Sequence, residues 1–147
     1  MHALKYRSAL GAVEALAELW PSAPSSPQVW LPVPLYPTRL RHRGHNQSLL
    51  IAQALARRTA VPVWSNALLR LWDTPSQTQL TRDQRRRNLS DAFALAPEVA
   101  VRGLHVGLVD DVLTTGATLA ELSALLRRHG AASVQAWVLA RTPAPHD

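Results

Sequence analysis

One stretch of the chain has residue types and spacing that could do chemistry: Val106-Gly107-Leu108-Val109-Asp110-Asp111-Val112-Leu113-Thr114-Thr115-Gly116-Ala117-Thr118. An apolar run leads straight into two adjacent acids, and small hydroxyl residues with one glycine follow before a helix begins. Adjacent carboxylates at a strand end can accept hydrogen bonds from a vicinal diol, such as the 2- and 3-hydroxyls of a ribose. Thr114, Thr115 and Thr118 supply hydroxyl donors, and Gly116 and Ala117 let the backbone come close to a ligand. The first N–H groups of the following helix have no partner within it, and the helix dipole favours an anion there. A diol site and a phosphate site a few residues apart match one ribose 5-phosphate. A helix cap explains one acid, but not two acids closing an apolar run with four small residues after them. Walker-type phosphate loops end in Lys-Ser/Thr, and this loop has no lysine. No Gly-x-Gly-x-x-Gly fingerprint is present either.

Such a loop needs a strand before it and a helix after it. His105–Val109, approached through Ala100–Gly103, reads as a buried strand. Ala117–His129 reads as a helix with Leu119, Leu122, Leu125 and Leu126 toward the core and Gly130 as its stop. Ser133–Ala140 is the last expected strand. Upstream, Tyr6–Trp20 is an expected helix, with Leu10, Val13, Ala17 and Trp20 on one face. Pro21–Pro27 is a Pro/Ser linker. Gln28–Leu35 is a strand with Val29, Leu31 and Val33 alternating, and Pro32, Pro34 and Pro37 stiffen its exit. Thr38–Asn46 is expected as a basic loop containing Gly44, Gln47–Arg58 as a helix and Val61–Trp64 as a short strand. Asp73–Thr81 is an expected loop, and Arg82–Leu89 is a basic helix candidate. Strands alternating with helices predict one α/β domain over residues 1–147, its sheet mostly parallel and covered on both faces. Ligands in such sheets sit at the carboxyl ends of the strands.

The 147 residues are 47% hydrophobic, enough for one core. There is no cysteine, which removes disulfides and thiolate zinc sites and fits a cytoplasmic location. Met1–Leu19 carries Lys5, Arg7, Glu14 and Glu18 and lacks the apolar core of a secretory signal. No apolar run reaches the roughly 18 residues of a membrane span. The formal charge of +6 favours anionic partners.

The Val106–Thr118 stretch resembles the phosphoribosyl pyrophosphate signature of type I phosphoribosyltransferases. It departs at Gly107, where a bulky apolar residue is usual, and the departure is expected to loosen the strand locally. Further segments resemble the ComF family, with the GntX-like proteins as close relatives. These are Lys5-Tyr6-Arg7, Leu31-Pro32-Val33-Pro34-Leu35, Arg39–Arg43 running into Gly44-His45-Asn46-Gln47, and Thr74–Asn88 with Phe93. His45 stands where the family more often has an aromatic residue. The four-cysteine zinc ribbon of many members is expected to be absent, because the chain has no cysteine.

The resemblance implies the type I phosphoribosyltransferase fold: a mostly parallel twisted sheet, helices on both faces and a small hood spanning about 70–93. It implies that Asp110 and Asp111 hold the ribose diol of phosphoribosyl pyrophosphate as the catalytic pair. Thr114, Thr115, Gly116, Ala117 and Thr118 would take the 5-phosphate. Pro34, Leu35 and Tyr36 would approach the pyrophosphate, Leu35 and Tyr36 through backbone N–H groups. Arg85 and Asn88 would contribute to the hood. Mg2+ would be held through phosphoribosyl pyrophosphate near the two acids, with no direct protein ligand. The implied activity is pentosyl transfer, in which a nucleophile displaces pyrophosphate, with a role in DNA uptake during natural transformation. The alternative is a non-catalytic module that senses a nucleotide or phosphoribosyl pyrophosphate and meets single-stranded DNA, a competence helicase or a recombination mediator. No residue marks the acceptor base, and the oligomeric state is not legible.

Four weaker patterns remain. Arg39, Arg41 and Arg43 could neutralise pyrophosphate or a nucleic-acid backbone, or form a solvated basic loop. Arg82, Arg85, Arg86 and Arg87 form a denser cluster, either a solvated face or an anion-binding lid. His42 and His45 have the spacing of a helical metal pair, but no third ligand is evident and no metal site is expected. The tryptophans Trp20, Trp30, Trp64, Trp72 and Trp137 are expected mostly in packing. Only Trp72, near the arginine cluster, could stack on single-stranded DNA.

Overall fold

The computed structural model describes residues 26–73 and 92–142. Its centre is β4 (His105–Leu113), flanked by β1 (Val29–Pro32) and β5 (Ser133–Arg141) in a parallel sheet of order β1-β4-β5. β4 can be central because Val106, Gly107, Leu108 and Val109 are all buried, so neither face of that segment needs water. Its register runs from Val29↔Val106 to Pro32↔Val109 on one side and from His105↔Ser133 to Leu113↔Arg141 on the other.

Side-chain alternation divides the core into two layers. Val29, Leu31, Val106 and Leu108 meet Leu119, Leu122, Leu125 and Leu126 of α3 (Ala117–Arg128). Trp30 and Val109 point the other way, onto Ile51, Ala52, Ala54 and Leu55 of α2 (Gln47–Thr59). The expected parallel sheet with helices on both faces is therefore present. β2 (Leu68–Arg70) and β3 (Phe93–Leu95) form a separate antiparallel pair, and α3 packs against β3 as well as β4 and β5. No helix among the described residues is long and apolar enough to cross a membrane.

Gly107 makes room for a partner. Trp30 is its neighbour in the register, and a Cβ on Gly107 would collide with Cε3 and Cζ3 of the indole and lie 3.0 Å from Cγ of Pro27. The fully buried Trp30 donates its Nε1–H to Thr59 Oγ1 at 3.1 Å and stacks edge-on with Trp137 at 5.1 Å. The departure at Gly107 thus accommodates a ring, and the loosening expected there is replaced by close packing.

Several boundaries differ from the sequence reading. The segment Thr38–Asn46, expected as a loop, contains the helix α1 (Pro37–Arg43). Pro37 opens it, where a missing N–H costs nothing, and Gly44 closes it at φ 77 with its N–H on Leu40 O. No residue of α1 is buried, so it leaves no apolar stripe to read. The strand expected over Val61–Trp64 is a single parallel bridge, Trp30↔Val63. β2 and β3 were not foreseen. β4 runs past Val109 to Leu113, so both acids lie inside the strand, held by the pairing Asp110↔Val138 and Val112↔Ala140. The helix expected over Tyr6–Trp20 and the segments Thr74–Thr81 and Arg82–Leu89 lie outside the described residues.

Candidate functional site

Three chain segments meet at the carboxyl end of the sheet. The first is the end of β4 with Asp110 and Asp111. The second is the exit of β1, where Val33 N–H donates to Val109 O at 2.8 Å and so places Pro34 and Leu35 beside the acids. The third is the start of α2. Asn46 joins the last two: its Oδ1 accepts from Ser48 N–H at 3.0 Å as the helix cap, and its Nδ2 donates to Val33 O at 3.0 Å.

The two acids have different surroundings. Asp110 Oδ1 accepts from the hydroxyl of buried Ser48 at 3.0 Å and from Asp111 N–H at 2.9 Å. Asp111 Oδ1 accepts from Val112 N–H at 2.8 Å. Burial pushes the Asp110 carboxyl up to about 6, and the adjacent Asp111 charge adds to this. The bonds from Asp111 N–H and Ser48 act in the opposite direction. Asp110 therefore changes charge just below neutrality.

A cleft of about 120 Å³ opens over these groups. It brings together five residues expected from sequence: Asp110, Asp111, Thr118, Pro34 and Leu35. It adds Arg43 from α1, the cap residue Asn46 with Gln47 and Ser48 of α2, and Arg70 from β2. Thr114, Thr115 and Gly116 form the turn between β4 and α3, Ala117 opens α3, and none of the four lines this cleft. Gly116 takes φ 76 there, and Thr115 Oγ1 accepts from Ala117 N–H at 3.3 Å. The N–H groups of Thr118 and Leu119 donate to no other described residue, and the first turn of α3 carries no acid. An anion placed there would meet free donors and a favourable dipole. Tyr36 is the N-cap residue of α1 and stands off the cleft wall. Neither Leu35 N–H nor Tyr36 N–H donates to another described residue. Arg85 and Asn88 lie outside the described residues.

Ser48 and Arg70 are cleft residues that the sequence did not single out. Ser48 directly follows the Gly44-His45-Asn46-Gln47 pattern, which was its only signal. Arg70 had none, because it sits on a three-residue strand. Its Nε donates to Trp72 O at 3.3 Å and its guanidinium lies 5.6 Å from the centre of the Phe93 ring. Burial holds its pKa below the usual arginine value, Arg39 adds to this, and Asp73 opposes it. Arg39 itself pairs with Asp73 at 2.8 Å. Among the described residues no group of three or more His, Cys, Asp or Glu could hold a metal ion, His42 and His45 included.

The family model described as "Phosphoribosyl transferase domain" matches residues 46–147. A DNA utilization protein, YhgH, of Salmonella typhi is 47% identical over 110 residues, covering 75% of this chain and 48% of that protein. Competence protein F of Haemophilus influenzae is 45% identical over 118 residues, covering 78% and 51%. The chain thus spans about half the length of the curated relatives it matches. Among solved structures, the glutamine phosphoribosylpyrophosphate amidotransferase from B. subtilis, complexed with ADP and GMP, superposes with a TM-score of 0.58. It is 20% identical, with 89% of this chain and 26% of that chain covered, a likeness of fold.

Proposed function

The chain belongs to the phosphoribosyl transferase domain family, in its ComF branch, and on that premise we propose that its cleft binds phosphoribosyl pyrophosphate and transfers the phosphoribosyl group. One observation carries the reading: Asp110 and Asp111 share a single cleft with Thr118 of α3 and with the Pro34–Leu35 exit of β1. Diol acceptors, Thr118 at the helix start for the 5-phosphate, and Leu35 with its open N–H for the pyrophosphate line that space. Arg43 and Arg70 on its wall supply positive charge toward the same anion.

In this reading the acids take the ribose hydroxyls and fix the ring. The donors on either side hold its two phosphate ends apart. Attack at C1 forms the new glycosidic bond as the bond to pyrophosphate breaks, and the leaving group carries away the electron pair. The chain's contribution is to orient the sugar, neutralise the departing charge and hold it in a small, partly closed space. The donor set suits Mg2+ carried by the ligand: two carboxylates face the cleft, and no protein-made cage exists among the described residues. Held through the bound ligand near Asp110 and Asp111, Mg2+ would offset negative charge on the leaving group.

The names of the relatives support a role in DNA uptake for the whole protein, and the lack of cysteine fits the cytoplasmic location proposed with it. A second reading keeps the cleft but drops the chemistry. The module would then sense phosphoribosyl pyrophosphate or a nucleotide while its basic surface meets single-stranded DNA, a helicase or a recombination mediator. This reading is favoured by the absence of an acidic residue from α1, whose last turn carries Arg41, His42 and Arg43. Incubation with phosphoribosyl pyrophosphate, Mg2+ and each common nucleobase, with pyrophosphate release as readout, separates the two. Base-dependent release is the expected result. Binding without release would leave only the sensing module.

A further inference from the structure

We propose that Ser48 is a positioning residue for the acid pair: its hydroxyl holds Oδ1 of Asp110, keeps that carboxyl ionised and aimed along the cleft, and so sets the pH above which the pair accepts a ribose diol. The ribose part rests on the reading above; the coupling of Ser48 to Asp110 does not.

The bond joins residues 62 positions apart, across the contact between α2 and β4. Ser48 is 4% exposed, so its hydroxyl has little access to water. Its own N–H is held by Asn46, which fixes the helix start and so places the Ser48 side chain beside Asp110. Asp110 Oδ1 already accepts from Asp111 N–H, so the two donors together define the plane of the carboxylate. A carboxylate fixed this way keeps its other oxygen in a single orientation. A hydroxyl that donates to the charged form also favours that form against the pull of burial. The other charged groups on this cleft are Asp111 on β4, Arg43 on α1 and Arg70 on β2. α2 presents Gln47 and Ser48, α3 presents Thr118 and the β1 exit presents Val33, Pro34 and Leu35, none of them titratable. Opposite Asp110 in the sheet, β5 places Val138.

The test compares the wild-type chain with Ser48→Ala and Ser48→Thr. Carbon-13 NMR of the aspartate carboxyls gives the Asp110 midpoint in the ligand-free protein. It should rise by about one pH unit in Ser48→Ala, the scale of one hydrogen bond to a charged group, and return toward wild type in Ser48→Thr. An unchanged midpoint in folded Ser48→Ala overturns the proposal. Should that variant not fold, Ser48→Cys, which fills the site and weakens the donor, takes its place. Calorimetry with phosphoribosyl pyrophosphate and Mg2+ across pH then reads function. The ligand's own phosphates titrate in this range, so the comparison is between proteins. Ser48→Ala should lose affinity at higher pH than wild type, and the gap between the two should narrow toward pH 8.5. An equal loss at every pH would mean that Ser48 serves structure alone. If wild type fails to bind at any pH, the binding reading fails, while the carboxyl titration still decides whether Ser48 governs Asp110.

Discussion

Val106–Val109 and Asp110–Leu113 are consecutive halves of one strand, yet the first is wholly buried while the second passes from half-buried acids to Val112 at 38% exposure. The first half is fitted to its neighbours down to the missing Cβ at Gly107, which leaves room for Trp30. The second half instead keeps a carboxyl where burial opposes its charge. Such a group works against folding near neutrality, and the packing of the first half offsets it. The difference teaches where each kind of substitution should be felt: as lost stability in one half, and as lost binding in the other.

The largest effect should come from filling Gly107. Gly107→Val is expected to cost about 3 kcal/mol in denaturant unfolding, the upper part of the usual overpacking range. In a Trp30→Ala background most of that penalty should vanish, because the indole is the obstacle. Fully additive losses would show that the two positions do not share space.

Next come the acids. Asp111→Asn should weaken phosphoribosyl pyrophosphate binding by about 1–3 kcal/mol in calorimetry, the range for losing a charged hydrogen-bond partner. Unchanged affinity would break the contrast drawn between the two halves.

Asp110→Asn should separate stability from binding. The folded-state pKa of Asp110 is raised to about 6 from 3.8, so the folded state holds this proton more tightly than the unfolded chain does. The resulting stabilisation is full below about pH 4 and is lost as pH rises through about 6. The neutral amide removes that loss. The ligand-free variant should therefore melt a few degrees above wild type at pH 8 and show a smaller advantage at pH 4, while binding phosphoribosyl pyrophosphate less well. A lower melting temperature at pH 8 would contradict the view that burying this charge is costly.

The smallest effect is expected at Arg39. Its bond to Asp73 joins side chains 38% and 39% exposed, and such pairs contribute about 0–1 kcal/mol. Arg39→Ala should leave the denaturation midpoint nearly unchanged.

The same contrast explains what could be read from the sequence. The apolar run, the acid pair, α3 with its Gly130 stop, and β5 are legible because each is specified by residues near one another in the chain. α1 is not, since a helix that buries nothing carries no periodic apolar signal. β2 and β3 escape because three residues are too few to show a period of two. Gly107 could be seen as unusual but not understood, because its reason is a side chain on the adjacent strand. Ser48 is the same kind of case within the site, with a role that exists only once α2 meets β4. Motifs made of neighbours in sequence are readable locally, whereas contacts made by folding are not.

The most direct measurement compares ribose 5-phosphate with 2-deoxyribose 5-phosphate by calorimetry, using wild type and the Asp110→Asn/Asp111→Asn double variant. The two ligands share the phosphate and differ in one hydroxyl of the diol. Wild type should prefer the ribose form by about 10-fold, about 1.4 kcal/mol, and the double variant should lose that preference. Equal affinity of wild type for the two sugars would contradict the claim that the paired acids grip a ribose diol.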